Sequence, residues 1–469
     1  MRGPNDLGRA TFNGMKLHFY GGAQSVTGAN YLLESGDLKI LVDCGLFQGS
    51  RYSETWNYEP FPFDPREIDY VLITHSHADH MGRIPKLYRD GFRGQIITTE
   101  PTKAIMSIAL DDSLDKIRDE ANQDGHAPLY RKDHIHKSLE MTHTVQYRHP
   151  VRLHERATAT FHEVSHILGS AAIEIVVRDV GTTKRILFSG DVGNPPTLLL
   201  NPIDYVRDAD YVIIESAYGN RLHENRNERR DILQEVITET VDRGGVLMIP
   251  SFAIERIQEL LLEFHVLFQE QRIPEVPVFV DSPLAIKITN MYGQYSRYFR
   301  PEAIDMLKES GGLFQFPWLT FTPTVAESKE INSVPAPKVI IAGSGMSQGG
   351  RILHHEIRYL PDEQNTILFI GYQVQGSLGR KIFDREPLVQ ILGQSVAVRS
   401  RVEAIGGYSA HADQTGLLEF VARANEGRGI KKVFIVQGES DSALALAEKI
   451  TEKISIPAMV PRVDEIIAI

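Results

Sequence analysis

The sequence predicts an α/β protein of more than one domain, a layered body of sheets and helices followed by a parallel, doubly wound sheet. Three observations predict it. At 469 residues the chain exceeds what one ordinary hydrophobic core holds. From Met15 to about Leu200, short β-rich runs alternate with turns. Beyond residue 205, strands and amphipathic helices alternate, as they do in a parallel sheet with helices on its faces.

In the first part, Lys16–Phe19, Tyr31–Leu33, Lys39–Val42, Tyr70–Thr74 and Gln95–Thr98 read as strands, as do Ala157–His162, Ala172–Val177 and Arg185–Phe188. Asp111–Gln123 and Ile135–Lys137 are more polar and helix-like, which places helices outside a sheet sandwich. In the second part the strands are Ala209–Ile214, Gly245–Pro250, Val276–Val280, Lys338–Ala342 and Thr366–Gly371, with helices over Glu228–Arg243 and Arg256–Gln271. Val396–Gly406 and Lys432–Val436 read as strands again, with helices over Gln414–Ala424 and Ser442–Lys453.

Composition narrows the class. The chain is 42% hydrophobic and 24% charged, which is ordinary for a globular protein. No apolar run approaches the roughly 20 residues a membrane helix needs, so no membrane partner is expected. Met1 to Gly14 is polar, has no signal-peptide core and reads as a flexible extension. A lone cysteine, Cys44, rules out an internal disulfide and fits a reducing cytoplasm. The net charge of −11 argues mildly against a nucleic-acid partner, yet bound cations would offset the acid near a metal site.

The run His75-Ser76-His77-Ala78-Asp79-His80 carries the chemistry. It follows Tyr70-Val71-Leu72-Ile73, a buried strand in the making. A loop leaving a strand cannot turn all these groups to one ion, so its two halves suit two adjacent metals. Imidazole with carboxylate favours zinc. Paired metals about 3.5–4 Å apart are a common device for splitting a phosphoester. Taken singly, His166 reads as a structural histidine, and Asp191 and Asp43 read as turn residues after apolar strands.

Taken together and in this order, these residues resemble the metallo-β-lactamase superfamily. The resemblance implies an αββα metallo-β-lactamase sandwich with the site at one edge. His75, His77 and His166 would hold a first zinc, Asp79 and His80 a second, and Asp191 both. Asp43 would orient the cluster from behind.

Ile213-Ile214-Glu215-Ser216-Ala217-Tyr218-Gly219 and Gly407-Tyr408-Ser409-Ala410-His411-Ala412-Asp413 resemble motifs A and B of the narrower β-CASP nucleases. This resemblance spans nearly all of residues 15–469. It implies a body of residues 15–205 and 395–469, a parallel-sheet β-CASP domain over 206–394, and the extension 1–14. It also makes Asp79, His411 and Glu215 the catalytic candidates. His411 would protonate the departing oxygen after attack by hydroxide on the metal, with Glu215 on its other nitrogen.

The glycine-rich segment from Ala342 to Arg351 resembles a phosphate cradle of the RNA-processing, polyadenylation-specificity-factor-like ribonucleases. Ser344, Gly345, Met346, Gly350 and Arg351 are its candidate substrate contacts, and Arg380, in the similar segment Gly371 to Arg380, is another. His354 and His355 follow the first segment and read equally as lining of the domain cleft. The implied partner is single-stranded RNA, cut mainly within the strand and also from the 5′ end. The family's C-terminal pairing implies a homodimer.

One position departs from the family. Where the RNA-processing branch has a motif C histidine on the second metal, this chain has Gln437, whose amide oxygen is a weaker ligand. An introduced change, a natural weak second site, and a protein that binds RNA without cutting all fit this departure. A DNA-directed nuclease and a small-molecule metallo-hydrolase are the remaining alternatives. The latter has no use for Glu215, His411 or the glycine-rich segment.

Overall fold

The computed structural model describes residues 14–49, 54–179, 181–223, 228–310, 312, 314–371, 373–374 and 376–469. The expected extension therefore lies outside the described residues except for Gly14, as do Tyr372 and Gln375 of the Arg380 segment.

Two seven-stranded sheets form the body. In the first, Glu465–Ala468 lies at one edge beside Met15–Gly21, followed by Asn30–Ser35, Leu38–Val42, Tyr70–Leu72, Gln95–Thr99 and Thr142–Val145. In the second, the order is Ala458–Met459, Lys432–Val436, Tyr211–Glu215, Thr182–Phe188, Ala171–Asp179, Ala157–Glu163 and Val151–His154. The strands are apolar on both faces because each sheet is covered twice. Leu17, Phe19, Val42 and Leu72 meet Phe161, Phe188, Ile213 and Phe434 between the sheets.

The alternate side chains face helices. Leu41, Val71 and Ile73 pack with Leu87, Met106 and Ile135 of Ile84–Arg89, Glu100–Asp124 and Lys132–Glu140. Val212, Val433 and Ile435 pack with Phe420 and Leu446 of Gln414–Ala424 and Ser440–Ile454. The layers run helix, sheet, sheet, helix.

A six-stranded parallel sheet forms the inserted domain, in the order Leu319–Phe321, Val278–Asp281, Lys338–Ala342, Val246–Pro250, Thr366–Phe369, Arg401–Ala404. One face packs Ile249, Val280 and Ile341 on Leu260, Leu261 and Phe264 of helix Arg256–Gln269. The other packs Met248, Ile340 and Ile367 on Ile352 and Ile382.

Two expectations need correction. Val396–Gly406 is not one strand. Gln394–Ala397 pairs back on Leu388–Ile391, and Arg401–Ala404 joins the inserted sheet, so that sheet extends beyond the expected boundary at 394. The hairpin turn is Leu392–Gly393, with φ of 49° and 78°, a two-residue turn whose sequence lacks the usual Asn-Gly signal. The helix expected over Asp111–Gln123 begins at Glu100, capped by Thr99. Its first turns hold Ile105 and Met106 against different cores, so they lack the polar face that marks a surface helix. Among the described residues, no helix is long and apolar enough to cross a membrane.

Candidate metal centre

Nearly every candidate side chain stands at the C-terminal end of a strand. Asp43 follows Leu38–Val42, the run His75 to His80 follows Tyr70–Leu72, and Asp191 follows Thr182–Phe188. Glu215 ends Tyr211–Glu215, His411 lies beyond Arg401–Ala404, and Gln437 follows Lys432–Val436. Parallel strands thus deliver polar groups to one edge, where backbone hydrogen bonding ends and side chains take over. The Asp43 turn and the histidine run are locked together, with Cys44 N–H donating to His80 O at 2.7 Å and Leu46 N–H to Ala78 O at 2.8 Å. Only glycine fits between them, since a Cβ on Gly45 would lie 1.5 Å from Asp79 O.

Four donor atoms converge on one point. His77 Nδ1 lies 3.1 Å from His75 Nε2 and 3.2 Å from His166 Nε2. Asp191 Oδ2 is 3.4 Å from His75 Nε2 and 3.5 Å from His166 Nε2. Donors around a tetrahedral zinc, each about 2.0–2.1 Å from the ion, stand about 3.3 Å apart. The set therefore fits such an ion. Burial, with a contribution from His80, lowers the pKa of His75, and burial holds His77 and His166 well below the ordinary value. Neutral rings keep the lone pairs a metal needs. Burial disfavours charge on Asp191, but His80 and His75 outweigh it and keep the carboxylate ionised.

The second position is framed less closely. His80 Nε2 is 3.2 Å from Asp191 Oδ1 and 3.7 Å from Asp79 Oδ2. Behind it, Asp43 Oδ2 lies 2.7 Å from His80 Nδ1, while Asp43 also accepts from Thr74 N–H and Oγ1, both at 2.8 Å. Asp43 thus holds the His80 ring from behind. Burial disfavours charge on His80, but Asp191, Asp43 and Asp79 together raise its pKa well above the ordinary value. Gln437 reaches this position differently from the expectation. Its Nε2, not its Oε1, faces His80 Nε2, at 3.1 Å.

His411 borders the first position. Its Nδ1 lies 3.1 Å from Glu215 Oε1 and 3.9 Å from Asp191 Oδ2. Glu215 is fully buried and also accepts from Val192 N–H at 2.7 Å and Ala217 N–H at 3.2 Å. Burial opposes a charge on His411, but Glu215 and Asp191 outweigh it and raise its pKa to about 9. Its side chain keeps 27% exposure, so the centre opens to solvent here.

The glycine-rich segment lies at the strand ends of the inserted sheet. Ser344 Oγ accepts from Gln348 N–H at 3.0 Å, and Gly379 N–H donates to Met346 O at 3.0 Å, which ties this segment to that of Arg380. Gly350 closes the turn with φ of 75°. Arg351 is turned inward, where it donates to Asp281 Oδ1 at 2.7 Å and to the carbonyls of Thr322 and Pro323. His355 Nε2 also meets Asp281, at 2.8 Å, and is buried rather than lining a cleft. Arg380 stays at the surface beside Asp384.

Two further residues belong to this region. Phe252 is 41% exposed and lies over Gly345, where a Cβ would meet its ring at 2.6 Å. Its place after the strand Val246–Pro250 was the available signal. His223 Nε2 lies 2.8 Å from His411 O and steadies the motif B backbone; no spacing in the sequence points to it.

The chain matches three families, described as Beta-Casp domain over residues 257–382, Zn-dependent metallo-hydrolase RNA specificity domain over 395–461, and anti-Pycsar protein Apyc1 over 15–227. It is 38% identical over 435 residues to Ribonuclease TTHA0252 of Thermus thermophilus, covering 92% of this chain and 95% of that protein. Transcription termination factor FttA of Pyrococcus horikoshii is 32% identical over 469 residues, covering 94% of this chain and 69% of that protein. A crystal structure of a protein of unknown function from Enterococcus faecalis V583 shares the fold, with a TM-score of 0.53 at 12% identity, covering 97% of this chain and all (100%) of that one. With the strand-end cluster and both motifs in place, the chain belongs to the β-CASP RNA-processing nucleases of the metallo-β-lactamase family.

Proposed function

We propose that this chain is a zinc-dependent ribonuclease that hydrolyses phosphodiesters of single-stranded RNA, mainly within the strand and secondarily from the 5′ end. The observation that carries the reading is the four-donor set of His75, His77, His166 and Asp191 beside the His411–Glu215 pair. An ion held by these four residues would polarise the phosphate as a Lewis acid and lower the pKa of a water molecule.

The chain's own groups do the rest. With Nδ1 committed to Glu215, His411 has Nε2 for the substrate, and its raised pKa keeps a proton there at neutral pH. As a water oxygen bonds to phosphorus and the P–O3′ bond breaks, His411 donates that proton to the departing 3′ oxygen, leaving 3′-hydroxyl and 5′-phosphate ends. Glu215 holds the ring's tautomer and orientation. Ser344, Gly345, Met346 and Gly350 line the path of the RNA backbone, Arg380 adds a phosphate contact, and the ring of Phe252 stacks on a base. Arg351 acts through Asp281 to shape the segment. Asp79 completes the acidic face toward the second position. The name of the Thermus relative supports RNA as substrate. The buried lone Cys44 supports a cytoplasmic setting, and the family resemblance supports a homodimer.

Gln437 beside His80 favours a second reading, an RNA binder that does not cut. Matched single-stranded RNA and DNA oligonucleotides, with lactone and thioester substrates beside them, separate the readings. Chelator-sensitive RNA cleavage supports the proposal. RNA binding without cleavage supports the second reading. Cleavage of DNA alone, or of the small substrates alone, refutes both.

A further inference from the structure

The amide of Gln437 sits in a pocket that sets its direction. Nε2 donates to Val26 O at 3.0 Å, and Oε1 accepts from Tyr31 Oη at 3.4 Å. Turning the amide over would bring its oxygen against the Val26 carbonyl, two acceptors at hydrogen-bond distance with no proton between them. The backbone holds the residue just as firmly. Gln437 N–H donates to Gly22 O at 2.6 Å, and Gln437 adopts φ of 48°. A Cβ on Gly22 would lie 2.1 Å from Gln437 Oε1, so glycine there makes the room for this amide.

The consequence falls on His80. The group that Gln437 presents to His80 Nε2, at 3.1 Å, is an N–H donor. A donor cannot ligate a cation, and its positive end repels one. The carboxamide oxygen that could have served as a weak ligand is spent on Tyr31. We infer that this chain holds a single divalent ion, between His75, His77, His166 and Asp191, and that Gln437 closes the neighbouring position at Asp79 and His80 to a second. The inference rests on the metal reading proposed above.

The rest of that position is intact. Asp191 Oδ1 is buried and still faces this position, 3.2 Å from His80 Nε2. Asp79 keeps 18% side-chain exposure, so solvent can satisfy it in the absence of an ion. Restoring an acceptor at residue 437 should therefore reopen the position.

The test is a metal count on the full chain. The protein is loaded with zinc, desalted, and measured by native mass spectrometry and plasma emission, beside Gln437→His and Gln437→Glu, with folding checked by circular dichroism. The expected result is about one zinc per chain for this protein and about two for the histidine variant, with Gln437→Glu also gaining an ion. About two per chain in the unaltered protein would overturn the inference and leave the metal reading standing. None would remove both. Folded variants that both stay at one would overturn the role given to Gln437.

Discussion

Glu215 Oε1 stands 3.1 Å from His411 Nδ1 across 196 residues of sequence, with its carboxylate pinned by the backbone N–H groups of Val192 and Ala217. The acid is rigid and holds the histidine ring through Nδ1. If His411 supplies the proton, His411→Ala should lower kcat for RNA cleavage by about 10²–10⁴-fold while zinc content stays unchanged. Glu215→Gln should lower it less, because a neutral amide still orients the ring. Equal kcat in all three proteins would remove His411 from the chemistry.

Removing the metal should cost stability as well as activity. Without an ion, His75, His77, His166 and Asp191 leave their lone pairs facing one another inside the protein. Binding to the folded state alone adds about 4 kcal/mol at a thousandfold excess over Kd. Thermal unfolding after chelation should therefore show a lower Tm, restored by added zinc, and His75→Ala should no longer respond to zinc.

Much of this site was legible in the sequence because its residues sit at fixed offsets after apolar strands. His75 to His80 needed only spacing. His166, Asp191, Glu215 and His411 needed the family resemblance, because singly each reads as an ordinary structural residue. What could not be read depended on distant partners. Arg351 looks like a phosphate ligand until the fold brings Asp281 to it, and the direction of Gln437's amide depends on the Val26 carbonyl. The split of Val396–Gly406 depends on Leu360, whose carbonyl accepts from Arg399 N–H and Ser400 N–H at 2.9 Å each where the strand breaks.

The two arginines expected to contact RNA should separate in measurement. Asp281 is fully buried, and Arg351 is one of its partners. Arg351→Ala should destabilise the fold by about 3 kcal/mol, the low end for breaking a buried pair, because Arg351 keeps 17% exposure. Arg380 pairs with Asp384 at the surface, where such pairs are worth about 0–1 kcal/mol. Arg380→Ala should leave stability unchanged, weaken RNA binding and flatten its salt dependence by about 0.7 in log–log slope. Denaturant melts beside a binding titration check both. The reverse assignment would return Arg351 to the RNA path.

Stability should also fall with pH through a buried acid. Glu255 accepts from Leu168 N–H at 2.9 Å and Tyr292 Oη at 2.8 Å, and burial raises its pKa from 4.5 to about 7. The folded state then keeps a proton that the unfolded state releases. Its contribution is level below about pH 4.5 and declines until about pH 7, a loss on the order of 3 kcal/mol. Between pH 5 and pH 8, Glu255→Gln should lose less stability than the unaltered chain. Parallel pH profiles would place the proton elsewhere.

The deciding measurement is the rate at which this chain, Gln437→His and His411→Ala cleave a single-stranded RNA oligonucleotide with zinc present. Metal-dependent cleavage is expected from the first two, faster in the histidine variant, with 5′-phosphate ends, and almost none from His411→Ala. Intact RNA in the presence of both the chain and Gln437→His would contradict it.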